Sequence, residues 1–284
     1  MSYIYKGGTA LIQEIQQTDV ADDAIAVWSL GQMGIVLKGA QQDGFICIDP
    51  YLTNSIEQEN PGTEFVREYP PPIRPEGLAG ARAVLVTHYH NDHLDLATLC
   101  TLAEVSPQTM FAVPASHLYL LQNASIETSK LMAARDEAPF SVGDFSITPV
   151  AAAHTDYQTD EHGNHYYLGY CISINGVRVY HSGDTSVTNS LLERVREFKP
   201  HIAMLPINGG DYARTARGIV GNMSDREAAD FGVAVGADLL IPVHYDMFPN
   251  NRDNPAHFVD YLFHTYRAQK FHMMAPGERF IYVK

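Results

Sequence analysis

The apolar run Ala83-Val-Leu-Val-Thr87 is followed at once by His88-Tyr-His90-Asn-Asp92-His93. An uninterrupted aliphatic run of this length reads as a buried strand. Its end then delivers four side chains of metal-ligand type within six residues. His88 and His90, at i and i+2, project to the same side of an extended segment and can grip one ion together. Asp92 and His93 lie beyond the bend and can face a second. Imidazole and carboxylate suit Zn, Mn or Fe, and the absence of cysteine from the cluster disfavours a softer site. In a chain with 13 histidines, two near each other would mean little. Three with an aspartate, placed behind a buried strand, point to metal.

The rest of the chain supplies a β-rich frame for such a site. Strands are expected at 25–30, 34–38, 45–49, 83–87, 145–153, 201–207, 239–243 and 279–283. A hairpin joins 166–174 to 177–182 through Asn175-Gly176, a type I′ turn signal. Helices are expected near Asp95, over 187–197, from Ser224 with Glu227 completing a capping box, and from Asn254 with Pro255 in the first position. Strands lead and helices follow in each half. This order fits two packed sheets with helices outside, an αββα sandwich of the α/β class. The consecutive hairpins argue against the alternative, a doubly wound sheet. The stretches 70–80 and 207–222 read as loops rather than linkers, so residues 1–284 read as one domain.

Composition excludes several partners. The formal net charge of −14 repels phosphate backbones, so nucleic acid is not expected. No apolar run approaches the ~20 residues of a membrane span, and no membrane partner is expected. The N-terminal segment lacks a basic stretch followed by an apolar core, which points to the cytoplasm. Cys47, Cys100 and Cys171 lie far apart in apolar surroundings and are expected as buried thiols, neither disulfides nor metal ligands.

The segment HYHNDH resembles the HxHxDH signature of the metallo-β-lactamase superfamily. That resemblance implies a His, an Asp and a His from three later strand ends, and His154, Asp184 and His244 answer in that order. Taken singly, each would read as a structural or turn residue, and His162 and His165 compete with His154. The resemblance implies two divalent ions, Mn or Zn. His88, His90 and His154 would hold one, Asp92, His93 and His244 the other, and Asp184 would bridge. Asp92 is then also the group that orients the attacking water and returns a proton to the leaving oxygen, so Asp92 and Asp184 are the catalytic candidates.

Within the superfamily the chain is most similar to the ascorbate-6-phosphate lactonase branch. The matching segments are 27–38, 84–95, 179–189, 216–224 and 241–255. They imply hydrolysis of a small phosphorylated sugar lactone or a similar carboxylic ester, with a small anionic substrate and a homo-oligomeric enzyme. Arg217 matches a residue of that branch and is the candidate for holding phosphate, whereas Arg214 and Arg252 read as surface residues. The shorter segment between Asp49 and Arg74 and the early end after Pro255 imply a reshaped pocket. A phosphodiesterase of the same fold is the alternative, followed by a non-hydrolytic metal protein. Trp28 reads as core, His181 as packing, and Asp49 as a buttress for a ligand histidine.

Overall fold

The computed structural model describes residues 3–40 and 44–284. Its strands are β1 (Ala24–Gly31), β2 (Gly34–Lys38), β3 (Phe45–Ile48), β4 (Ala83–Leu85), β5 (Met110–Pro114), β6 (Leu131–Ala134) and β7 (Phe140–Val142). There follow β8 (Phe145–Ala151), β9 (Leu168–Ile174), β10 (Val177–His181), β11 (Ile202–Pro206), β12 (Leu239–Val243), β13 (Lys270–Phe271) and β14 (Arg279–Val283). Among the described residues they form two seven-stranded sheets, ordered β14-β1-β2-β3-β4-β5-β6 and β13-β12-β11-β10-β9-β8-β7. In these orders the first sheet passes from antiparallel to parallel pairs at β3 and the second from parallel to antiparallel at β10.

Alternation along the strands builds the layers. In β1, Ile25 and Val27 face the second sheet, where they join Phe145, Ile147, Tyr170, Ile172, Val179 and Met204 in the inter-sheet core. Ala24, Ala26 and Trp28 face the other way, onto Leu11 and Ile15 of the helix Gly8–Gln17 and Leu99 and Leu102 of the helix Leu96–Val105. The outer face of the second sheet carries the helices Asn189–Phe198, Asp225–Ala234 and Pro255–Thr265. The result is the αββα sandwich of the metallo-β-lactamase fold, with most central strands buried on both faces.

Local signals act as the chemistry requires. Asn175 and Gly176 take φ of 53° and 69°, as a type I′ turn demands. Ser224 and Glu227 form the reciprocal capping box, and Asn254 caps the helix opened by Pro255. Thr188 caps the helix 189–198 by accepting from Leu191 N. Trp28 is fully buried and donates to Glu14 at 3.1 Å. Cys47 and Cys171 are buried, but Cys100 is only half-buried on the helix 96–105. The loop 70–80 holds one 3-10 turn, Pro75–Leu78, and the loop 207–222 one short helix, Tyr212–Thr215.

Direction decides where the site falls. Strands β8, β10 and β12 all run the same way, because β9 is antiparallel to both of its neighbours and β10, β11 and β12 are mutually parallel. Their C-terminal ends therefore share one edge of the sheet. The segments leaving that edge begin near His154, Asp184, Asn208 and His244.

Candidate metal centre

The chain leaves β4 and turns tightly, with His93 N and Leu94 N both donating to His90 O. The turn aims His88, His90, Asp92 and His93 at the strand ends of the opposite sheet. Gly183 sets the last step before Asp184. Its φ is +59°, and a Cβ there would stand 2.7 Å from Leu168 O and 2.9 Å from Thr87 Cβ. Only glycine lets β10 and the β4 loop approach this closely.

All seven candidate ligands converge. Asp184 lies at the centre: its Oδ2 is 3.3 Å from His244 Nε2, 3.8 Å from His154 Nε2 and 4.0 Å from His88 Nε2, and its Oδ1 is 3.5 Å from His93 Nε2. Asp92 Oδ2 is 3.6 Å from both His93 Nε2 and His244 Nε2. His88 Nε2 and His90 Nδ1 lie 3.0 Å apart. Three donor triplets each fall within 4.8 Å: His90, His154 and Asp184; Asp92, His93 and His244; and His88, His93 and Asp184. His162 is largely exposed and pairs with Glu161, and His165 faces Asp136. Neither stands in these triplets.

The donor set fits divalent cations. His93 Nε2 and Asp184 Oδ1 are buried and have no hydrogen-bond partner among the described residues. Such orphaned atoms are costly unless something else satisfies them. Electrostatics agree. Burial pushes the Asp184 carboxyl up, but His244, His93 and His88 together hold it well below the usual carboxylate range. Burial opposes a charge on His93 as well, yet Asp184, Asp92 and Asp49 raise it to about 9. His244 is raised in the same way by Asp184 and Asp92. Burial lowers His154 to about 4. Two ionised carboxylates inside a ring of imidazoles form a cation trap in which charge, not packing, decides the arrangement.

Two further residues support the centre. Asp49 accepts from His93 Nδ1, as the sequence led us to expect. Gln32, in the turn between β1 and β2, donates from its amide to Asp92 Oδ2 at 2.8 Å. Sequence reasoning missed Gln32. The available signal was a polar residue set between the apolar runs 25–30 and 34–38; the structure buries it to six per cent exposure. His181 packs against the Met33 carbonyl at 3.0 Å and stays outside the ligand set.

A cavity of about 320 Å³ opens on the cluster. His90, Asp92, His154, Asp184 and His244 contribute to its polar lining, and Ile56, Phe65, Ile219, Val220 and Phe248 to its apolar wall. Tyr89 separates it from a second cavity of about 530 Å³ bounded by His117, Tyr119 and Tyr166. Arg217 sits beside this wall, but its guanidinium is about half exposed and paired with Glu64 at 2.6 Å. Arg252 pairs with Glu68 on the surface. Arg214 is less exposed than expected. It donates to Asp211 and to the Asn208 carbonyl and so fastens the base of the 207–222 loop. No helix among the described residues is long and apolar enough to cross a membrane.

Known proteins share this frame. The family model described as the Beta-lactamase superfamily domain matches residues 46–245, which include every candidate ligand. A UPF0173 metal-dependent hydrolase from Archaeoglobus fulgidus is 31% identical over 235 residues, covering 81% of this chain and 87% of that protein. A probable L-ascorbate-6-phosphate lactonase of Escherichia coli is 24% identical, over 87% of this chain and 77% of that one. Among solved structures, the metallo hydrolase Igni18 from Ignicoccus hospitalis superposes with a TM-score of 0.69 at 21% identity, covering 92% of this chain and 99% of that one. With the ligand-type residues gathered at the strand ends and the family model spanning them all, the chain belongs to the metallo-β-lactamase superfamily and, within it, to the metal-dependent hydrolases.

Proposed function

We propose that the protein hydrolyses a small lactone or related carboxylic ester, phosphorylated at a distance from the scissile bond, with two divalent ions, Mn or Zn. The observation that carries the reading is Asp184, set between two histidine groups with both oxygens turned to ring nitrogens, in the lining of an open cavity. In this reading His88, His90 and His154 would hold one ion, Asp92, His93 and His244 the other, and Asp184 would be shared between them. Bound dications supply Lewis acidity towards water and towards a carbonyl oxygen.

The chain's own groups do the remainder. Asp92 borders the cavity, where its carboxylate orients the attacking water and carries a proton to the departing ring oxygen. Ile219, Val220 and Phe248 exclude bulk water and pack on the carbon skeleton of the substrate. Arg217, at the rim beside Gly218–Val220, meets the phosphate. We extend the proposal to a cytoplasmic homo-oligomer acting on a small anionic substrate, which light scattering and cell fractionation would check.

The test is a substrate screen of the metal-loaded protein. Hydrolysis of sugar lactones with little turnover of bis(p-nitrophenyl) phosphate is the expected result. The reverse preference would replace the ester reading with a phosphodiesterase.

A further inference from the structure

Gln32 and His244 are both non-glycine residues in the left-handed region, with φ of 55° and 59°. Such conformations persist only where their surroundings hold them. Here the two hold each other, since His244 N donates to Gln32 O at 3.1 Å. The contact turns the Gln32 side chain onto metal-facing atoms. Its amide nitrogen lies 2.8 Å from Asp92 Oδ2 and 3.1 Å from His244 Nε2. Those two atoms are themselves 3.6 Å apart. Ligand atoms about 2.1 Å from a first-row dication stand about 3.0–3.4 Å from one another. The tip of Gln32 stands at that spacing from His244 Nε2 and slightly closer to Asp92 Oδ2, within reach of an ion held between those two atoms.

A carboxamide presents an NH2 donor on one side and an oxygen on the other, and a half-turn about its last bond exchanges them. Beside the bare Asp92 carboxylate the NH2 end is preferred, because an amide oxygen there would be repelled. A cation among Asp92, His93 and His244 reverses the preference, since only the oxygen can bind it.

We propose that Gln32 is a ligand of the second metal position, supplying its carboxamide oxygen beside Asp92, His93 and His244. The inference rests on the two-metal reading above. An added neutral oxygen takes the position beyond tetrahedral geometry and favours Mn2+ over Zn2+ there.

The test titrates the metal-free full chain with Mn2+, counts free ion by electron paramagnetic resonance, and records Co2+ absorption spectra in parallel. The wild type is expected to take two equivalents. Gln32→Asn tolerates left-handed backbone but is one methylene too short. It is expected to weaken the second equivalent about 10–100-fold and leave the first unchanged. Its Co2+ spectrum should intensify as the coordination number falls. Gln32→Glu keeps an oxygen in reach and is expected to bind the second ion at least as tightly as the wild type. A residue that only donates to Asp92 behaves differently: Gln32→Glu, with no donor and a like charge, would then lose the second ion as Gln32→Asn does, and the ligand assignment falls. Two equivalents bound alike by all three proteins overturn the assignment alone. Fewer than two in the wild type overturn the two-metal reading and the inference with it. Melting curves of the metal-free proteins establish that each variant is folded.

Discussion

His93 donates from Nδ1 to Asp49 Oδ2 at 2.8 Å, and both side chains are fully buried. The same carboxylate accepts from Thr87 N at 2.8 Å and Thr87 Oγ1 at 2.6 Å. One aspartate at the end of β3 thus fixes the start and the end of the ligand loop after β4. A proton held on Nδ1 leaves Nε2 as the candidate ligand nitrogen, and Nε2 is the atom that faces Asp92 and Asp184.

Asp49→Ala is therefore expected to reduce metal affinity about 10–100-fold, measured by chelator competition. It also removes the acceptor of three buried donors, at about 1–3 kcal/mol for each left unpaired, so the melting temperature should fall even without metal. Asp49→Asn keeps one acceptor oxygen and should fall between the two proteins. Unchanged metal affinity in Asp49→Ala would show that the ligand loop holds its shape without this support.

Chelation is expected to abolish hydrolysis and leave the fold in place. Three apolar clusters, one between the sheets and one on each outer face, hold the sandwich without any contribution from the metal residues. Circular dichroism of the metal-free protein should match that of the loaded one, and Mn2+ or Zn2+ should restore activity. Activity that survives chelation, with metal loss established by elemental analysis, would count against the mechanism.

The candidate ligand loop was legible because an apolar strand ends abruptly in a cluster of histidines and an aspartate. His154, Asp184 and His244 were legible only jointly, since each follows its own apolar run. Their convergence comes from strand direction, which pattern alone does not give. The helix Gly8–Gln17 was overlooked although Leu11 and Ile15, spaced by one turn, carried the signal. Strands β5, β6, β7 and β13 are two to five residues long, too short for alternation to declare itself. Gln32 gave the weakest signal of all. Its role depends on His244, 212 positions away.

Gly183→Ala is expected to cost about 1–3 kcal/mol in stability, because alanine must adopt a left-handed φ against Leu168 O. The strain falls beside Asp184, so activity should drop further than stability. Denaturant unfolding and turnover measured on the same preparation check the pair. A stable, fully active variant would mean that the segment after β10 relaxes freely.

Lys38 offers a control remote from the metals. Its buried ammonium donates to the carbonyls of Ile15 and Gln16, both at 2.8 Å, and closes the last turn of the helix Gly8–Gln17. Burial holds its pKa below the usual lysine value. Lys38→Met keeps the aliphatic stem but leaves both carbonyls without this donor, and should cost about 1–3 kcal/mol. Metal stoichiometry should stay as in the wild type. A loss of metal in this variant would mean that the first sheet transmits strain to the centre.

In the proposed function Arg217 holds the phosphate of the substrate. Its partner Glu64 stands 2.6 Å away, and both side chains are about half exposed. An exposed ion pair of this kind is worth about 0–1 kcal/mol, so a phosphate can displace Glu64 at little cost. A charge-assisted contact in its place contributes about 1.5–3 kcal/mol. Arg217→Ala should accordingly raise KM for a phosphorylated lactone about 10–100-fold while leaving an uncharged ester nearly unaffected. Arg217→Lys should recover part of the loss, because a point charge lacks the planar fork. Glu64→Gln frees the guanidinium and should lower KM for the phosphorylated substrate alone. These directions separate a phosphate contact from a merely structural rim residue. If Arg217→Ala impairs both substrates equally, the pair serves the shape of the 207–222 loop and the anion is held elsewhere. If it impairs neither, the apolar wall of Ile219, Val220 and Phe248 carries recognition, and the substrate is an ester without a phosphate.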